Sequence, residues 1–259
     1  MHVILFPREI HDLDDCKTLQ DDLNALSVWS DTWLLKFNAG KCVLLKIRKK
    51  FEYRYTLNGT YLIEVDNQKD LGVIVSNDLS PRTHIVEIAK QANQRVGMVR
   101  RCFTNLTSKK IETLYTIMIR PVLEYGASTW SPHYKKDIDC LEGVQKRCLR
   151  LSSENIDLPS LSNRRLGYDL CEVYKYLHGY NKAGYEGMFT LAPRQLSGHS
   201  YKILRPFART VPRANFFSLR VVERWNSLPC EIVEAPTLAQ FKERLSVLFL
   251  EEERTNSTN

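Results

Sequence analysis

The stretch "YRYTLNGTYLIEV" (53–65) decides the β part of the fold, because it predicts two short strands joined by a tight turn. Aromatic and β-branched residues fill both arms. Asn58-Gly59 between them is a strong hairpin signal, since both residues tolerate the left-handed backbone that such turns need. Apolar runs at 43–47 and 71–75 predict neighbouring strands. We therefore predict a small antiparallel meander over 43–76.

Helical periodicity lies on both sides of this meander. Apolar residues recur at three- and four-residue steps over 13–37, which predicts a helix that Asp12 or Asp14 caps and that Asn38-Ala39-Gly40 ends. After Pro81 the period is helical again. The predicted helices there are one with an apolar stripe from Ile85 to Phe103, one over 108–124 that Pro121 kinks or ends, and one over 134–151.

The last hundred residues are less regular. We predict a helix over 164–177, a loop over 180–213, two short helices over 216–225 and 237–249, and a polar tail over 251–259. The whole chain then forms an α+β fold in three parts. These are a small antiparallel sheet with a packed helix (1–79), a helical bundle (80–155), and a mostly helical C-terminal region with a polar tail (156–259).

Charge and cysteine content narrow the class of protein. Lys and Arg number 37 against 30 Asp and Glu, a net charge of +7 that permits binding to nucleic acid or to acidic membranes without requiring either. The seven cysteines are odd in number, widely spaced and lack a C-x-x-C pair, which argues against a disulfide framework and a zinc site. The six histidines show no ligand spacing, so we predict no metal site and no hydrolytic chemistry.

The sequence also predicts the compartment. No window approaches the roughly 18 apolar residues of a membrane span. The apolar run at 3–6 is too short for a secretory signal and lacks the basic flank before it. We expect an intracellular protein, in the cytoplasm or nucleus, that is not secreted and has no membrane partner.

Several motifs, in order along the chain, resemble one family. The motifs are "LQDDLNALSVWSDTWLLKFNAGKC" (19–42), "KDLGVIVSNDLSP" (69–81), "RPVLEYGASTWSP" (120–132), "DIDCLEGVQKRCLRL" (137–151) and "FFSLRVVERWNSLP" (216–229). They resemble the C-terminal portion (end of the palm, thumb and tail) of reverse transcriptases from non-LTR retrotransposons, the jockey-like LINE elements. The resemblance implies a parent enzyme that is an RNA-directed DNA polymerase.

The resemblance also implies that the catalytic carboxylates are missing. The parent enzyme uses Mg²⁺ held by carboxylates, and its hairpin Asp pair would fall at Met1 and His2. Asp14-Asp15 and Asp21-Asp22 are the remaining pairs, and neighbours on a helix point about 100° apart, so we interpret them as a cap and a solvated face. We expect a truncated reverse transcriptase with no catalytic residue, metal or cofactor of its own, inactive alone.

The resemblance suggests three site residues in the palm-like part. Lys41 would lie near the nucleotide site as a weak candidate for a general acid, and Lys69 and Gly72 belong to a loop that would grip the primer. The alternatives are plain exposed lysines and a glycine needed for packing. These alternatives stay open on the sequence.

Basic residues suggest a nucleic-acid interface in the rest of the chain. Arg100, Arg101, Lys109 and Lys110 flank a helix–helix junction where they would contact phosphates. Downstream, arginines alternate with aromatic residues, a combination that suits single strands. This second set comprises Arg205, Arg209, Arg213, Arg220 and Arg224, with Phe207, Phe216 and Phe217. A solvated basic face and core aromatics are the competing interpretations.

Three functions follow as hypotheses. The first is a reverse-transcriptase fragment that contacts an RNA or DNA primer–template. The second is a nucleic-acid-binding module kept without the enzyme, and the third is a module that binds a protein partner through the exposed face of the palm-like part. A non-functional remnant is the fourth possibility.

Overall fold

The chain divides into two compact units, Met1–Thr83 and His84–Asn259. The computed structural model describes residues 10–48, 51–181, 186–193 and 198–257. Helices dominate, with short two-stranded sheets in the first unit, so the α+β class is confirmed. The predicted boundary at 155 stays a prediction.

The first helix among the described residues of this unit is α1 (Leu13–Thr32). Asp12 caps it as predicted, because its carboxylate accepts the backbone N–H groups of Asp14 and Asp15 at 2.9 Å. The Asp15 carboxylate accepts the backbone N–H of Asp12 in return, which completes a capping box. The tandem aspartates at 14–15 therefore belong to the start of a helix.

Helix α1 ends five residues before the predicted Phe37. Leu34 adopts a left-handed backbone with φ of 55°, and the N–H of Leu35 donates to the carbonyl of Ser30 at 3.0 Å. This pattern is a Schellman cap, which usually has glycine at the left-handed position. The predicted extension was wrong because leucine gives no signal of a left-handed turn.

The described residues after α1 form three two-stranded sheets. Their strands are β1 (Val43–Leu45), β2 (Thr56–Leu57), β3 (Thr60–Tyr61), β4 (Ile63–Val65), β5 (Asn67–Asp70) and β6 (Val73–Ser76). Strands β2 and β3 form the predicted hairpin, in which Asn58 and Gly59 take φ of 49° and 71°. Strands β5 and β6 form a second hairpin around Leu71-Gly72.

One strand pair departs from the predicted antiparallel meander. β1 pairs with β4 in parallel, with Val43 opposite Ile63. The β2–β3 hairpin lies between them in the chain and supplies the crossover that a parallel pair needs. Strand β5 was not predicted at all, because Asn67-Gln68-Lys69-Asp70 is polar and shows no alternation.

The core of the first unit joins α1 to the hairpin. Cys16, Leu19 and Leu23 are buried with Tyr55 and Leu57. The side chain of Gln20 donates to the carbonyl of Thr56 at 2.9 Å and accepts from its N–H at 2.8 Å. This bidentate amide contact sets β2 against the helix.

The second unit is helical. Its helices are α2 (Arg82–Cys102, whose first two residues precede the unit boundary), α3 (Ser108–Leu114), α4 (Arg120–Glu124), α5 (Ala127–Trp130), α6 (Lys135–Leu149), α7 (Leu161–Leu177), α8 (Val211–Ala214), α9 (Phe217–Arg220), α10 (Val222–Asn226), α11 (Cys230–Val233) and α12 (Leu238–Ser257). The predicted stripe of α2 is buried from Ile85 to Val99, whereas Phe103 lies past the helix end and is exposed.

A π-helical turn, Tyr115–Ile119, joins α3 to α4, so the helical run 108–124 has the predicted bounds. The N–H of Arg120 donates to the carbonyl of Tyr115, five residues back. Pro121 follows directly and has no N–H to donate, and a wide turn of this kind accommodates its ring. The helix does not end at Pro121, and Ile119 in the π-helical turn before it is fully buried.

The C-terminal part packs around aromatic residues. Tyr174, Trp225 and Phe241 are fully buried in one cluster with residues of α7, α9 to α12 and the preceding loop. Three predicted boundaries were wrong here. Helix α7 starts at Leu161 because Ser160 caps it, the helix predicted over 216–225 is two helices, and α12 runs to Ser257 where a polar tail was predicted.

The predicted loop over 180–213 is mostly irregular where the structure describes it. It contains an isolated bridge between Leu191 and Ile203 and the short helix α8. Of the helices within the described ranges, none is long and apolar enough to cross a membrane.

Candidate nucleic-acid interface

The first unit holds three of the predicted site residues. Lys41 is exposed in a single 3₁₀ turn, Ala39–Lys41, where its backbone N–H donates to the carbonyl of Asn38. Lys69 is exposed on β5 opposite Ile74, and Gly72 lies in the turn that follows. Gly72 takes φ of 89°, so the turn itself accounts for the glycine.

The second unit brings four predicted residues to one junction. Arg100 and Arg101 lie in the last turn of α2, and Lys109 and Lys110 lie in the first turn of α3. The connection between the helices is five residues long, and Lys110 Nζ donates to the Asn105 carbonyl within it at 3.3 Å. All four side chains are exposed, which suits contact with a large anion.

A groove beside this junction extends the basic surface. Its volume is about 610 Å³, and it lies along one face of α2 with Cys140 of α6 at its edge. We call it the α2–α6 groove. Its lining residues are Val86, Ala89, Lys90, Asn93, Gln94, Gly97, Arg101 and Cys140. Positions 86, 90, 93, 97 and 101 follow three- and four-residue steps, so they share one helix face.

Arginines lie along both helices of the groove. Arg147 of α6 donates from Nε to Asn93 Oδ1 at 3.0 Å, which links α6 to the groove wall. A Cβ added at Gly97 would lie 3.5 Å from Arg101 Nη1, and one at Gly143 would lie 3.4 Å from Arg147 Nη1. Each guanidinium therefore lies over a glycine one turn earlier on its own helix.

The cations of the groove and junction are not neutralised. Among the described residues, no carboxylate oxygen lies within 4.0 Å of the charged nitrogens of Lys90, Arg101 or Arg147, nor of Arg100, Lys109 or Lys110. Such a surface attracts polyanions, because each bound phosphate replaces condensed counterions. Lys90 and Arg147 are not among the predicted site residues. Helical spacing places Lys90 on the same face of α2 as Arg101, but no sequence signal places Arg147 beside α2.

The downstream arginines divide into two groups. Arg205, Arg209 and Arg213 are exposed on the loop and on α8. Arg220 instead pairs with Asp169 at 2.8 Å, and Arg224 pairs with Glu252 at 2.5 Å. These last two arginines hold helices together.

The aromatic residues of this region divide in the same way. Phe217 and Trp225 belong to the core. Phe207 is 87% exposed and Phe216 is 43% exposed. Two of the four aromatic side chains in this stretch are therefore available to a partner.

A polar cluster that the sequence did not indicate pins α7 to α4. The Glu124 carboxylate accepts Arg164 Nε at 2.5 Å and the hydroxyl of Tyr168 at 3.0 Å. The hydrogen bond from Arg164 to Glu124 raises the pKa of the guanidinium, and burial lowers the pKa of neighbouring Arg165. Glu124, Arg164 and Tyr168 satisfy one another by hydrogen bonds, so we assign these three residues to stability.

The described carboxylates do not fit a catalytic metal. No group of three or more His, Cys, Asp or Glu side chains within these residues is placed to hold an ion. Asp15 closes the capping box and Asp14 pairs with Lys17 at 2.8 Å. We therefore derive no step through Mg²⁺ for this chain.

Comparison with known proteins gives one relationship. The chain is 23% identical over 137 residues to the RNA-directed DNA polymerase from mobile element jockey of Drosophila funebris. The match covers 51% of this chain and 15% of that protein. No protein-family model matches the chain, and no solved structure matches it significantly. The match supports a reverse-transcriptase-related origin.

Proposed function

We propose that this chain is a thumb-like part of a retrotransposon reverse transcriptase that binds the sugar–phosphate backbone of a primer–template. The α2–α6 groove carries the proposal, since Lys90 and Arg101 line it and Arg147 donates to Asn93 in its wall. Arg100, Lys109 and Lys110 extend the same charge around the end of α2. The relationship to the jockey polymerase supports the choice of partner.

The amide side chains of the groove suit backbone contact as well. Asn93 and Gln94 lie between the cations and provide hydrogen-bond donors for phosphate and sugar oxygens. Such contacts position a duplex without selecting a sequence. We therefore propose binding that is independent of sequence and strongly dependent on salt.

A titration of a fluorescent RNA–DNA hybrid at several salt concentrations tests the proposal. The full chain should bind at low salt, with affinity falling steeply as salt rises. Replacing both Lys90 and Arg101 by alanine removes two phosphate contacts. The plot of log K against log salt should therefore become shallower, with the magnitude of its negative slope smaller by about 1.8. Lys90 and Arg101 are exposed and have no ion pair with any described residue, so the variant should stay folded.

The matched control removes two exposed lysines elsewhere. The double variant Lys36→Ala and Lys242→Ala changes the net charge equally, and its two exposed lysines lie just after α1 and on α12. It should keep the wild-type slope. Absence of binding at low salt, or equal slopes for both double variants, would contradict the proposal.

We also propose that the chain does not polymerise DNA alone and that Mg²⁺ belongs to the intact parent enzyme. The involvement of Asp14 and Asp15 in the start of α1 supports this. Incubation with primer–template, deoxynucleotides and Mg²⁺ is the test. Templated primer extension by the purified chain would refute it. The proposed location is intracellular, where a primer–template occurs.

A second candidate function is protein binding through the first unit. Around the end of α1, the side chains of Val28, Trp33 and Leu34 are 67%, 64% and 83% exposed, and Trp29 and Leu35 are also exposed. An apolar patch of this kind is typical of a protein interface. If it is the functional surface, replacing Trp33 and Leu34 by serine should abolish partner capture and leave hybrid binding unchanged.

A further inference from the structure

Residues 204–216, which we call the arm, are exposed or partly exposed and lie in the chain between buried Ile203 and buried Phe217. At its start, Ile203 is 2% exposed, and the Asn226 side chain accepts its N–H at 2.9 Å and donates to its carbonyl at 2.8 Å. The N–H of Leu204 also donates to the carbonyl of Thr190 at 2.8 Å. These contacts fix the chain where the arm leaves the core.

The far end of the arm is fixed as well. Thr210 caps α8, and Arg220 Nη1 donates to the carbonyl of Asn215 at 3.1 Å. Phe217, directly after the arm, is buried in the core. With both ends fixed, the arm loses little conformational freedom on binding, which favours affinity.

The exposed side chains of the arm differ in chemical type from the partly buried ones. Arg205, Phe207, Arg209, Val211 and Arg213 are all exposed, while Ala208, Thr210 and Pro212 between them are partly buried. The arm thus exposes three arginine side chains and the aromatic ring of Phe207 to solvent.

We propose that this arm binds an unpaired nucleic-acid strand, with a base stacked on Phe207 and the flanking phosphates held by Arg205, Arg209 and Arg213. The inference rests on the proposed function and adds a second contact, separate from the α2–α6 groove, for a single strand. A single exposed apolar side chain is common on proteins. Phe207 differs because arginines lie on both sides of it.

Charge and chemistry favour this partner over a duplex. A duplex covers the faces of its bases, whereas an unpaired strand offers a π face and a phosphate at every nucleotide. Among the described residues, the three arginines have one acidic partner, Glu223, which lies 3.4 Å from Arg205. Both side chains of this pair are exposed to solvent. An exposed pair of this kind is worth little and is readily exchanged for a phosphate. Arg213 also lies 5.5 Å from the ring centre of the partly exposed Phe216 at the end of the arm.

The test compares three variants at one position in the full chain. Phe207→Trp keeps a stacking surface, Phe207→Leu keeps an apolar side chain without one, and Phe207→Ala removes both. Loss of one stacked base should weaken binding of a labelled single-stranded oligonucleotide by about 5- to 150-fold in Phe207→Leu and Phe207→Ala. Phe207→Trp should bind as wild type, and its new indole fluorescence should be quenched by the strand.

A blunt RNA–DNA hybrid and vesicles of anionic phospholipid serve as the other probes. Hybrid affinity and its salt slope should be unchanged in all three variants, because those depend on the groove. Wild-type affinity of Phe207→Leu for the single strand would overturn the inference while leaving the proposed function intact. Binding to vesicles that Phe207→Ala abolishes, with no single-strand binding, would overturn it in favour of a membrane contact. Hybrid binding by the double variant Lys90→Ala and Arg101→Ala tests the groove alone, so its outcome bears on the proposed function and not on the arm.

Discussion

Arg220 and Asp169 form a two-pronged ion pair across 51 positions of the chain. Arg220 Nε donates to Asp169 Oδ2 at 3.0 Å, and Nη2 donates to Oδ1 at 3.0 Å and to the carbonyl of Ser128 at 2.9 Å. Their side chains are 16% and 6% exposed. Burial raises the pKa of Asp169, while the Arg220 charge opposes that rise. The pair joins α5, α7 and α9 at one point.

Replacing Arg220 by methionine should therefore destabilise the protein by about 3–5 kcal/mol, because it leaves the Asp169 charge buried without a partner. Urea unfolding measures the change. The matched control is Arg209→Met on the exposed arm, which should stay within about 0.5 kcal/mol of wild type. A loss from Arg220→Met no larger than the control would show that the pair does not stabilise the fold.

Substitution of Gly59 in the β2–β3 turn should change stability through backbone strain and not through packing. Gly59 takes φ of 71° and has no atom within 4 Å of where a Cβ would lie. Gly59→Ala should thus cost about 1–2 kcal/mol through left-handed strain alone, and Gly59→Asn should cost less because asparagine tolerates this conformation. Hydrogen exchange of the first unit measures both, and equal protection in Gly59→Ala would disprove the effect.

One buried histidine, His199, and two partly buried ones predict a loss of stability in mild acid. Burial lowers the pKa of His199, whose Nε2 lies 3.1 Å from the Trp225 carbonyl, and it lowers the pKa of His178 and His133 in the same way. The unfolded chain then takes up protons near pH 6.5 before the folded chain does. Stability is therefore full above about pH 6.5 and falls below it, by up to about 1.4 kcal/mol per pH unit for each histidine.

Urea unfolding between about pH 7.5 and pH 5.5 checks this dependence. His199→Gln keeps a polar side chain without a titrating group, so its stability should fall less steeply. An identical slope for wild type and His199→Gln would mean that His199 does not contribute.

Cysteine reactivity should separate the buried thiols from the exposed ones. Cys102 and Cys230 are exposed, whereas Cys16, Cys148 and Cys171 are buried, and burial raises the pKa of Cys148 to about 11. In native protein, Cys102 and Cys230 should react rapidly with a thiol reagent. The buried three should react only on unfolding, since the thiolate is the reactive form. A double variant with serine at 102 and 230 should lack the rapid phase, and its persistence would contradict the burial pattern.

Local patterns were predictable where one stretch determines its own structure. The apolar stripe of α2 and the Asn58-Gly59 turn were found because helical spacing and turn chemistry act within a few residues. The end of α1 and the polar strand β5 were missed although their contacts are local. Leucine is an unusual residue for the left-handed position at Leu34, and Asn67-Gln68-Lys69-Asp70 lacks the apolar alternation of a strand.

In the candidate interface, the basic residues were predictable from the sequence and the groove was not. Its individual cations were visible as basic residues, and Arg100, Arg101, Lys109 and Lys110 were grouped correctly because they flank one short connection. The groove was not predictable, since Arg147 reaches Asn93 only through the packing of α6 near α2.

The sequence by itself determined the α+β class, the β2–β3 turn and the face that α2 buries, because these follow from period and turn residues. Only the tertiary structure decided which arginines remain available. Arg220 and Arg224 look like Arg205, Arg209 and Arg213 in the sequence, but Asp169 and Glu252 neutralise them. A charge is available or engaged according to what packs beside it, and residues 28 to 51 positions away supply those neighbours.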